Sequence, residues 1–405
     1  MASVRRTALP VAAALVAAFA FQTLWTYAIG EPPSVDRRAV ARTTVALLGL
    51  PPVPVPAGSP ITPQKVALGR KLFFDRRLSH DNTISCATCH VPEQGFTVNG
   101  RATAAGIEGR TARRNAPTVI NAAYLETIFH DGRETSLETQ VLAPLVAPDE
   151  MGNPSLGHVV AKVKGLGDYD GLFEKAFGRG PGIEALAAAI AAWERTLVSA
   201  DSPFDRWYYG GAEDAIDGAA KHGFELFTGK AGCARCHALG KEFALFTDND
   251  FHDTGVGYRN TYAMPGGDEG PSQLAPGLTT IAKASELEAL GEKPGKDLGR
   301  YEVTLRPEDA WRYKTPSLRN VALTGPYMHD GSLLTLREVV YFYVRGGVEH
   351  PGLDRLIGRL DLEDGAADDL AAFMESLTGG NIAELVADAR STPVGDVGLE
   401  DLPRR

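Results

Sequence analysis

The stretch Cys86-Ala87-Thr88-Cys89-His90 returns later in the chain as Cys233-Ala234-Arg235-Cys236-His237, and the two copies use all four cysteines. Cys-x-x-Cys-His is the spacing of haem c attachment, in which both thiols form thioethers and the histidine ligates the iron. Two disulfides, or one zinc ion on four thiolates, are the alternatives, but neither explains a histidine after each pair. The pattern predicts two covalently bound haem c groups, with Cys86, Cys89, Cys233 and Cys236 as attachment points and His90 and His237 as iron ligands.

The flanks of the two motifs are duplicated as well. A Gly-x-x-Leu-Phe segment precedes each motif, beginning at Gly69 and again at Gly223. After each motif a proline is followed, at the same spacing, by His-Asp-Gly: Pro117 leads to His130, and Pro316 leads to His329. Equal spacing over separated segments indicates an internal repeat of two related haem units.

Helical periodicity dominates both repeats, as in the Ala-rich run 183–197 and the runs 336–344 and 366–377. We predict a mainly α fold with two tandem cytochrome c-like haem domains and long loops, after an N-terminal hydrophobic helix. The predicted division is a membrane anchor or signal peptide at 1–30, a proline-rich linker at 31–60, haem domains at 61–210 and 211–378, and a loosely held tail at 379–405. The Gly-, Pro- and charge-rich region 248–312 predicts a surface excursion with little regular structure.

The bulk composition and the N-terminus indicate the compartment. A formal net charge of −10 argues against nucleic acid as a partner, because no basic surface is available for phosphates. Arg5 and Arg6 precede a run without charges from Ala8 to Ile29, which is long enough to cross a bilayer. Since covalent haem attachment takes place outside the bacterial cytoplasmic membrane, we expect a periplasmic protein, tethered to the inner membrane if this helix is not cleaved.

Several segments jointly resemble the bacterial di-haem cytochrome c peroxidases and their MauG-like relatives, over roughly residues 61–378. They are Leu68–Asp75, Ser85–His90, Arg114–Thr118, Asp131–Arg133, Glu150–Met151, Thr315–Asn320 and Pro326–Gly331. The resemblance implies that the N-terminal haem reacts with H2O2. It also implies that the C-terminal haem relays electrons from a small cytochrome c or cupredoxin.

The resemblance assigns roles around the N-terminal haem. In the peroxidases a histidine in the loop after the haem motif caps this iron, but residues 91–129 contain no histidine here, as in the MauG-like branch. We therefore expect an open iron that reacts without reductive activation. Glu150 matches the distal glutamate of the family, which moves protons between the oxygens of peroxide, and Gln140 matches a glutamine of the same pocket.

At the C-terminal haem the resemblance points to Tyr343 as the second axial ligand, where the peroxidases have methionine and the MauG-like enzymes have tyrosine. A phenolate is a hard anionic donor that stabilises ferric iron. The alternatives are that Tyr343 is a packed aromatic residue and that Met264, Met328 or Met374 ligates the iron.

Between the haems the family has a tryptophan, and this chain has His130. Imidazole is much harder to oxidise than indole, so His130 is open to three interpretations: a proton shuttle, an unusual iron ligand, or a hydrogen-bonded structural histidine. The family also binds calcium between its domains through one asparagine side chain and two backbone carbonyls. Asn115, Thr324 and Pro326 match those positions, and oxygen ligands suit this cation.

Three functions follow from these assignments. The first is a peroxidase that reduces H2O2 to water. The second is a MauG-like oxidase, in which H2O2 and a high-valent haem pair oxidise residues of a partner protein. The third is a di-haem electron-transfer cytochrome without catalysis, against which Glu150 and an open iron argue.

Overall fold

The structure, a computed structural model, describes residues 34–262, 269–275, 278–283 and 296–398. The predicted N-terminal hydrophobic helix lies outside these residues. Within the described ranges, no helix is both long enough and apolar enough to cross a membrane.

The described chain is mainly helical, as predicted, with little sheet. Within it, the helices α1 to α15 span, in chain order, Val35–Thr44, Pro63–Phe73, Cys86–Cys89, Leu137–Gln140, Leu142–Val146, Leu156–Gly165, Leu172–Phe177, Ile183–Glu194, Pro203–Tyr208, Gly218–Thr228, Val256–Tyr262, Tyr301–Thr304, Leu336–Val344, Ala366–Glu375 and Ile382–Ala389. Short 3-10 turns cover Arg76–Leu78, Pro92–Gln94, Ile107–Gly109, Ala122–Tyr124, Gly167–Tyr169, Cys233–Arg235, Pro307–Asp309 and Val321–Leu323.

The strands β1 to β4 form two small antiparallel pairs among the described residues. They span Phe251–His252, Glu269–Ala275, Leu278–Lys283 and Tyr313–Lys314. β1 pairs with β4, and β2 with β3. The region 248–312 therefore contains more regular structure than its composition predicts. β2 and β3 form a hairpin inside it, and the pairing of β1 with the distant β4 is not visible in local sequence.

In the first half, α2 and α8 cross at Gly69. A side chain at this position would place its Cβ 1.9 Å from the backbone oxygen of Ala189, so only glycine allows the helices to approach this closely. One helical turn further along α2, the ring of Phe73 packs 4.4 Å from that of Trp193. Both side chains are buried in the core of this half.

The second half repeats this crossing with α10 and α14. A Cβ at Gly223 would lie 1.9 Å from the backbone oxygen of Asp369. One turn further along α10, the ring of Phe227 packs 4.8 Å from that of Phe373. The duplication predicted from sequence is therefore present in the helix packing.

The two halves exchange backbone hydrogen bonds in a reciprocal junction. The amide of Asn115 donates to the carbonyl of His329 at 2.7 Å, and the amide of Lys314 donates to the carbonyl of His130 at 2.8 Å. Asn115 and Lys314 each lie two residues before the equivalent prolines of the repeat. Each half therefore binds the His-Asp-Gly turn of the other.

Both ends of the described chain pack onto the first half. Ala39 of α1, in the region expected to be an extended linker, is buried in its core, as are Leu385 and Ala389 of α15. Arg42 pairs with Asp388 at 2.7 Å and joins the two end segments. The described part of the predicted tail is thus docked, because α15 offers an apolar face that the surrounding glycines and acids obscure in the sequence.

A buried ion pair joins α9 to the second half. Arg319 contacts both carboxylate oxygens of Asp205 at 2.9 Å, and the two side chains are 1% and 0% exposed. The guanidinium also donates to the carbonyls of Ala244 and Gly49. Buried charges need such partners because their desolvation is costly.

Candidate functional site: a shared cofactor cavity

A cavity of about 810 Å3 lies between the two halves. Every residue predicted for the site except Cys86 lines it: Cys89, His90, Asn115, His130, Gln140, Glu150, Cys233, Cys236, His237, Thr324, Pro326 and Tyr343. The structure thus brings together residues that the sequence spreads over more than half of the chain.

The first haem motif forms the short helix α3, which begins with a capping box between Ser85 and Thr88. The Nδ1–H of His90 donates to the carbonyl of Phe96 at 3.1 Å. Burial lowers the pKa of His90, so its imidazole is neutral. A neutral imidazole held through Nδ1 has Nε2 available as an iron ligand.

The second motif has the same arrangement. The Nδ1–H of His237 donates to the carbonyl of Phe246 at 2.9 Å, and burial lowers the pKa of this histidine too. Phe227 packs 6.4 Å from His237, as Phe73 packs 6.2 Å from His90. The two candidate proximal ligands therefore have equivalent backbone and aromatic support.

The cysteines fit covalent haem better than the alternatives. No disulfide joins the four cysteines, which argues against the disulfide interpretation. Within the described chain, the one group of three or more potential metal ligands that come close together is Cys236, Asp248 and His252, so the four thiols do not form a common zinc site.

Glu150 lies in the cavity near the first motif. Its backbone is fixed because its carbonyl accepts from the amide of Ile107 at 2.9 Å and because the next residue, Met151, is buried. The carboxylate makes no hydrogen bond to any described residue. Burial and the charge of Asp149 raise the pKa of Glu150 to about 7, against an opposing effect of Arg133. A free carboxyl group with this pKa can both accept and donate a proton near neutral pH. Gln140, the last residue of α4, also lines the cavity.

Tyr343 lies beside the second motif. Burial raises the pKa of its phenol, and the neighbouring thiols of Cys233 and Cys236 add to this effect. It belongs to α13, which begins with a capping box between Thr335 and Glu338. Of the alternative ligands, Met328 and Met374 line the same cavity, and Met264 lies outside the described residues.

His130 is buried and hydrogen-bonded. Its Nε2–H donates to the carbonyl of Asn115 at 2.9 Å. Burial lowers the pKa of His130 to about 4, and the nearby charges of Arg114 and Lys314 contribute to this shift. The imidazole is therefore neutral, as the structural interpretation of this residue expects.

The residues that match the calcium site of the family have unused oxygens. The Nδ2 of Asn115 donates to the carbonyl of Ala102 at 2.9 Å, which leaves Oδ1 without a donor among the described residues. The backbone carbonyls of Thr324 and Pro326 likewise accept no hydrogen bond from the described part of the chain. Three such oxygens fit a hard cation.

Among the polar residues of the cavity wall that sequence reasoning did not assign to the site are Glu194, His252 and Lys314. Glu194 is 4% exposed, its Oε2 has no hydrogen-bond partner, and burial raises its pKa to about 8. Its one sequence signal is an acid at the end of an apolar helical run. His252 contacts Asp248, four residues earlier, at 3.0 Å and Asp354 at 2.7 Å, and the distant Asp354 cannot be found from local sequence.

Comparison with known proteins places these features in one family. The family model of the di-haem cytochrome c peroxidases matches residues 63–213. The methylamine utilization protein MauG of Methylorubrum extorquens is 41% identical over 329 residues, which are 80% of this chain and 81% of that protein. The chain belongs to the di-haem cytochrome c peroxidase and MauG family. It is therefore an oxidoreductase of the cytochrome c peroxidase type, with two haem c groups as its cofactors.

Other relatives agree with this assignment. The cytochrome c551 peroxidase of Pseudomonas aeruginosa is 33% identical, with 80% of this chain and 81% of that protein covered. The crystal structure of a MauG-like protein associated with microbial copper homeostasis matches with a TM-score of 0.69 at 30% identity, covering 84% of this chain and 97% of the other. The di-haem peroxidase BthA of Burkholderia thailandensis, at 24% identity and a TM-score of 0.64, has the same fold.

Proposed function

We propose that this protein is a periplasmic di-haem peroxidase that reduces H2O2 to water, with electrons from a small cytochrome c or cupredoxin entering through the C-terminal haem. When bound, the two haems supply the redox chemistry: one reacts with peroxide and the other relays electrons. His90 and His237 would hold the irons, and the four cysteines would hold the porphyrins. Localisation in the periplasm rests on the attachment chemistry and on the uncharged run at residues 8–29.

Glu150 carries this proposal. Reduction of H2O2 consumes two electrons and two protons, so the pocket needs a group that moves protons between the two oxygens. The Glu150 carboxyl is free of hydrogen bonds to the described residues, lies in the cavity near Cys89, and has a pKa of about 7. Gln140 would orient the peroxide beside it. A cytochrome that only transfers electrons does not need a proton-transferring carboxyl group in its haem pocket.

Turnover of H2O2 tests the peroxidase function. The purified protein with both haems attached is mixed with a reduced small cytochrome c, and its oxidation is followed by absorbance after H2O2 is added. We expect two cytochrome molecules to be oxidised for each H2O2. Failure to oxidise this donor or a reduced cupredoxin would exclude the peroxidase function and leave the oxidase or the plain electron-transfer cytochrome.

Tyr343 favours a second candidate, a MauG-like oxidase that uses H2O2 to oxidise residues of a partner protein. The phenol lies beside both cysteines of the second motif, where an anionic ligand would stabilise oxidised iron. The absence of a histidine from residues 91–129 agrees with this candidate. The presence of His130 in place of the bridging tryptophan of the family weakens it.

Replacement of Tyr343 by phenylalanine is expected to change the electron paramagnetic resonance spectrum of the ferric protein. The low-spin signal of the C-terminal haem should be lost or shifted, because the phenolate ligand is removed, and the high-spin signal of the N-terminal haem should remain. Tyr341→Phe is a matched control on the exposed side of the same helix. An unchanged low-spin signal in Tyr343→Phe would assign the ligand to Met328, Met374 or Met264 instead.

We also propose the finer organisation of the molecule. The haem domains would comprise residues 61–210, with the peroxide-reactive haem, and 211–378, with the electron-transfer haem. A calcium ion would bind between them at Asn115, Thr324 and Pro326, which is supported by the three oxygens without hydrogen-bond donors.

A further inference from the structure

Lys314 is a buried cation without a partner. It is 8% exposed, lies on β4 and lines the cavity between the two halves. Its ammonium makes no hydrogen bond and no ion pair with any residue in the described ranges. Asp248 attracts it from beyond ion-pair distance, but the carboxylate of Asp248 is bound to His252 at 3.0 Å.

An unpaired ammonium in this position needs an anion from outside the protein chain. Burying a charge without a partner is costly, and lysine is almost never fully buried unless it is paired. The other buried cation nearby, Arg114, already contacts Asp131 at 2.6 Å and Asp297 at 2.6 and 2.7 Å. Lys314 therefore differs from Arg114: it lines the cavity, and no carboxylate of the described residues pairs with its ammonium.

The internal repeat identifies the residue of the first half that is equivalent to Lys314. Lys314 corresponds to Asn115, since each lies two residues before the matching proline. Their amides make the two equivalent hydrogen bonds of the reciprocal junction. At this place of the repeat the first half has a neutral amide side chain, and the second half has an ammonium.

We propose that Lys314 binds a propionate carboxylate of a bound haem in the cavity between the two halves. This inference rests on the proposed function, because it requires haem in the cavity. The ammonium would neutralise a cofactor carboxylate that is buried together with it. A fixed positive charge beside a haem favours the reduced state, since reduction removes one positive charge from the iron.

The reduction potentials of the two haems test this inference. In Lys314→Met, a spectroelectrochemical titration should show one haem shifted to lower potential. The ratio of reduced to oxidised haem at a fixed applied potential should fall at least tenfold, which is 59 mV for one electron. Lys314→Arg keeps the charge and should keep both potentials. Lys230→Met removes the charge of an exposed lysine three residues before Cys233 and is the matched control.

The outcomes separate this inference from the proposed function. If the unmodified protein binds two haems and consumes H2O2 while Lys314→Met leaves both potentials unchanged, the role of Lys314 is overturned and the peroxidase stands. If the unmodified protein shows no H2O2 turnover but the potential still shifts, the peroxidase fails and the role of Lys314 stands. If Lys314→Met does not retain both haems, the same spectroelectrochemical titration is made on Lys314→Gln. Unchanged potentials in that variant overturn the role of Lys314, and a lowered potential supports it.

Discussion

Replacing Glu150 by glutamine is expected to lower the rate of H2O2 reduction by about 10²–10⁴-fold, the usual contribution of a positioned proton-transfer group. Glutamine has nearly the same shape as glutamate but cannot take up or release a proton at neutral pH. Both haems should remain attached, because Glu150 forms no hydrogen bond with the described residues. The rate is measured by stopped-flow mixing of the ferric protein with H2O2.

The dependence of the rate on pH should change in the same variant. Burial and Asp149 raise the pKa of Glu150 to about 7, so the carboxylate that accepts the first proton from H2O2 becomes populated as the pH rises through 7. The unmodified protein should therefore react faster above pH 7 than below it. The rate of Glu150→Gln should not show this increase with pH. Glu126→Gln, at an exposed position, is the control. A rate in Glu150→Gln within threefold of the unmodified protein would show that proton transfer does not pass through this residue.

Replacing Asp205 by asparagine is expected to lower the free energy of unfolding by about 3–5 kcal/mol, the cost of removing one partner from a buried ion pair. Arg319 would keep its charge in an environment where its side chain is 1% exposed. The carbonyls of Ala244 and Gly49 can still accept its hydrogen bonds but cannot neutralise it. Urea unfolding of the haem-loaded protein, followed by fluorescence, measures the loss.

An exposed ion pair of the second half is the control for this measurement. Arg337 and Asp368 lie 3.1 Å apart, but their side chains are 56% and 57% exposed. Asp368→Asn should therefore cost less than about 1 kcal/mol, because water screens the pair. Equal losses in the two variants would mean that burial of Asp205 does not determine its contribution to stability.

Local sequence was sufficient where a short pattern carries the chemistry. The two haem motifs, the repeat of Gly69 at Gly223 and the helical runs of both halves have the predicted places in the structure. Each depends on spacing within a few residues, which a single sequence contains. The family resemblance added Glu150, Gln140 and Tyr343, all of which line the cavity.

The remaining features depend on contacts between distant segments. Lys314 is typical of a surface residue by type, and its burial follows from the pairing of β4 with β1. Glu194 ends an apolar helix, and its place in the cavity follows from the crossing of α8 with α2. The docking of α15 depends on a core formed more than 150 residues earlier in the chain. Local sequence alone is not sufficient to distinguish these residues from exposed ones.

The reciprocal junction makes the two halves depend on each other structurally. Because Asn115 holds the turn at His329 and Lys314 holds the turn at His130, each cofactor site is closed by peptide from the other half. A chain cut between the halves would leave each fragment with an unfinished pocket and an unsatisfied backbone. The two halves therefore depend on each other for these hydrogen bonds even though their ligands and charges differ.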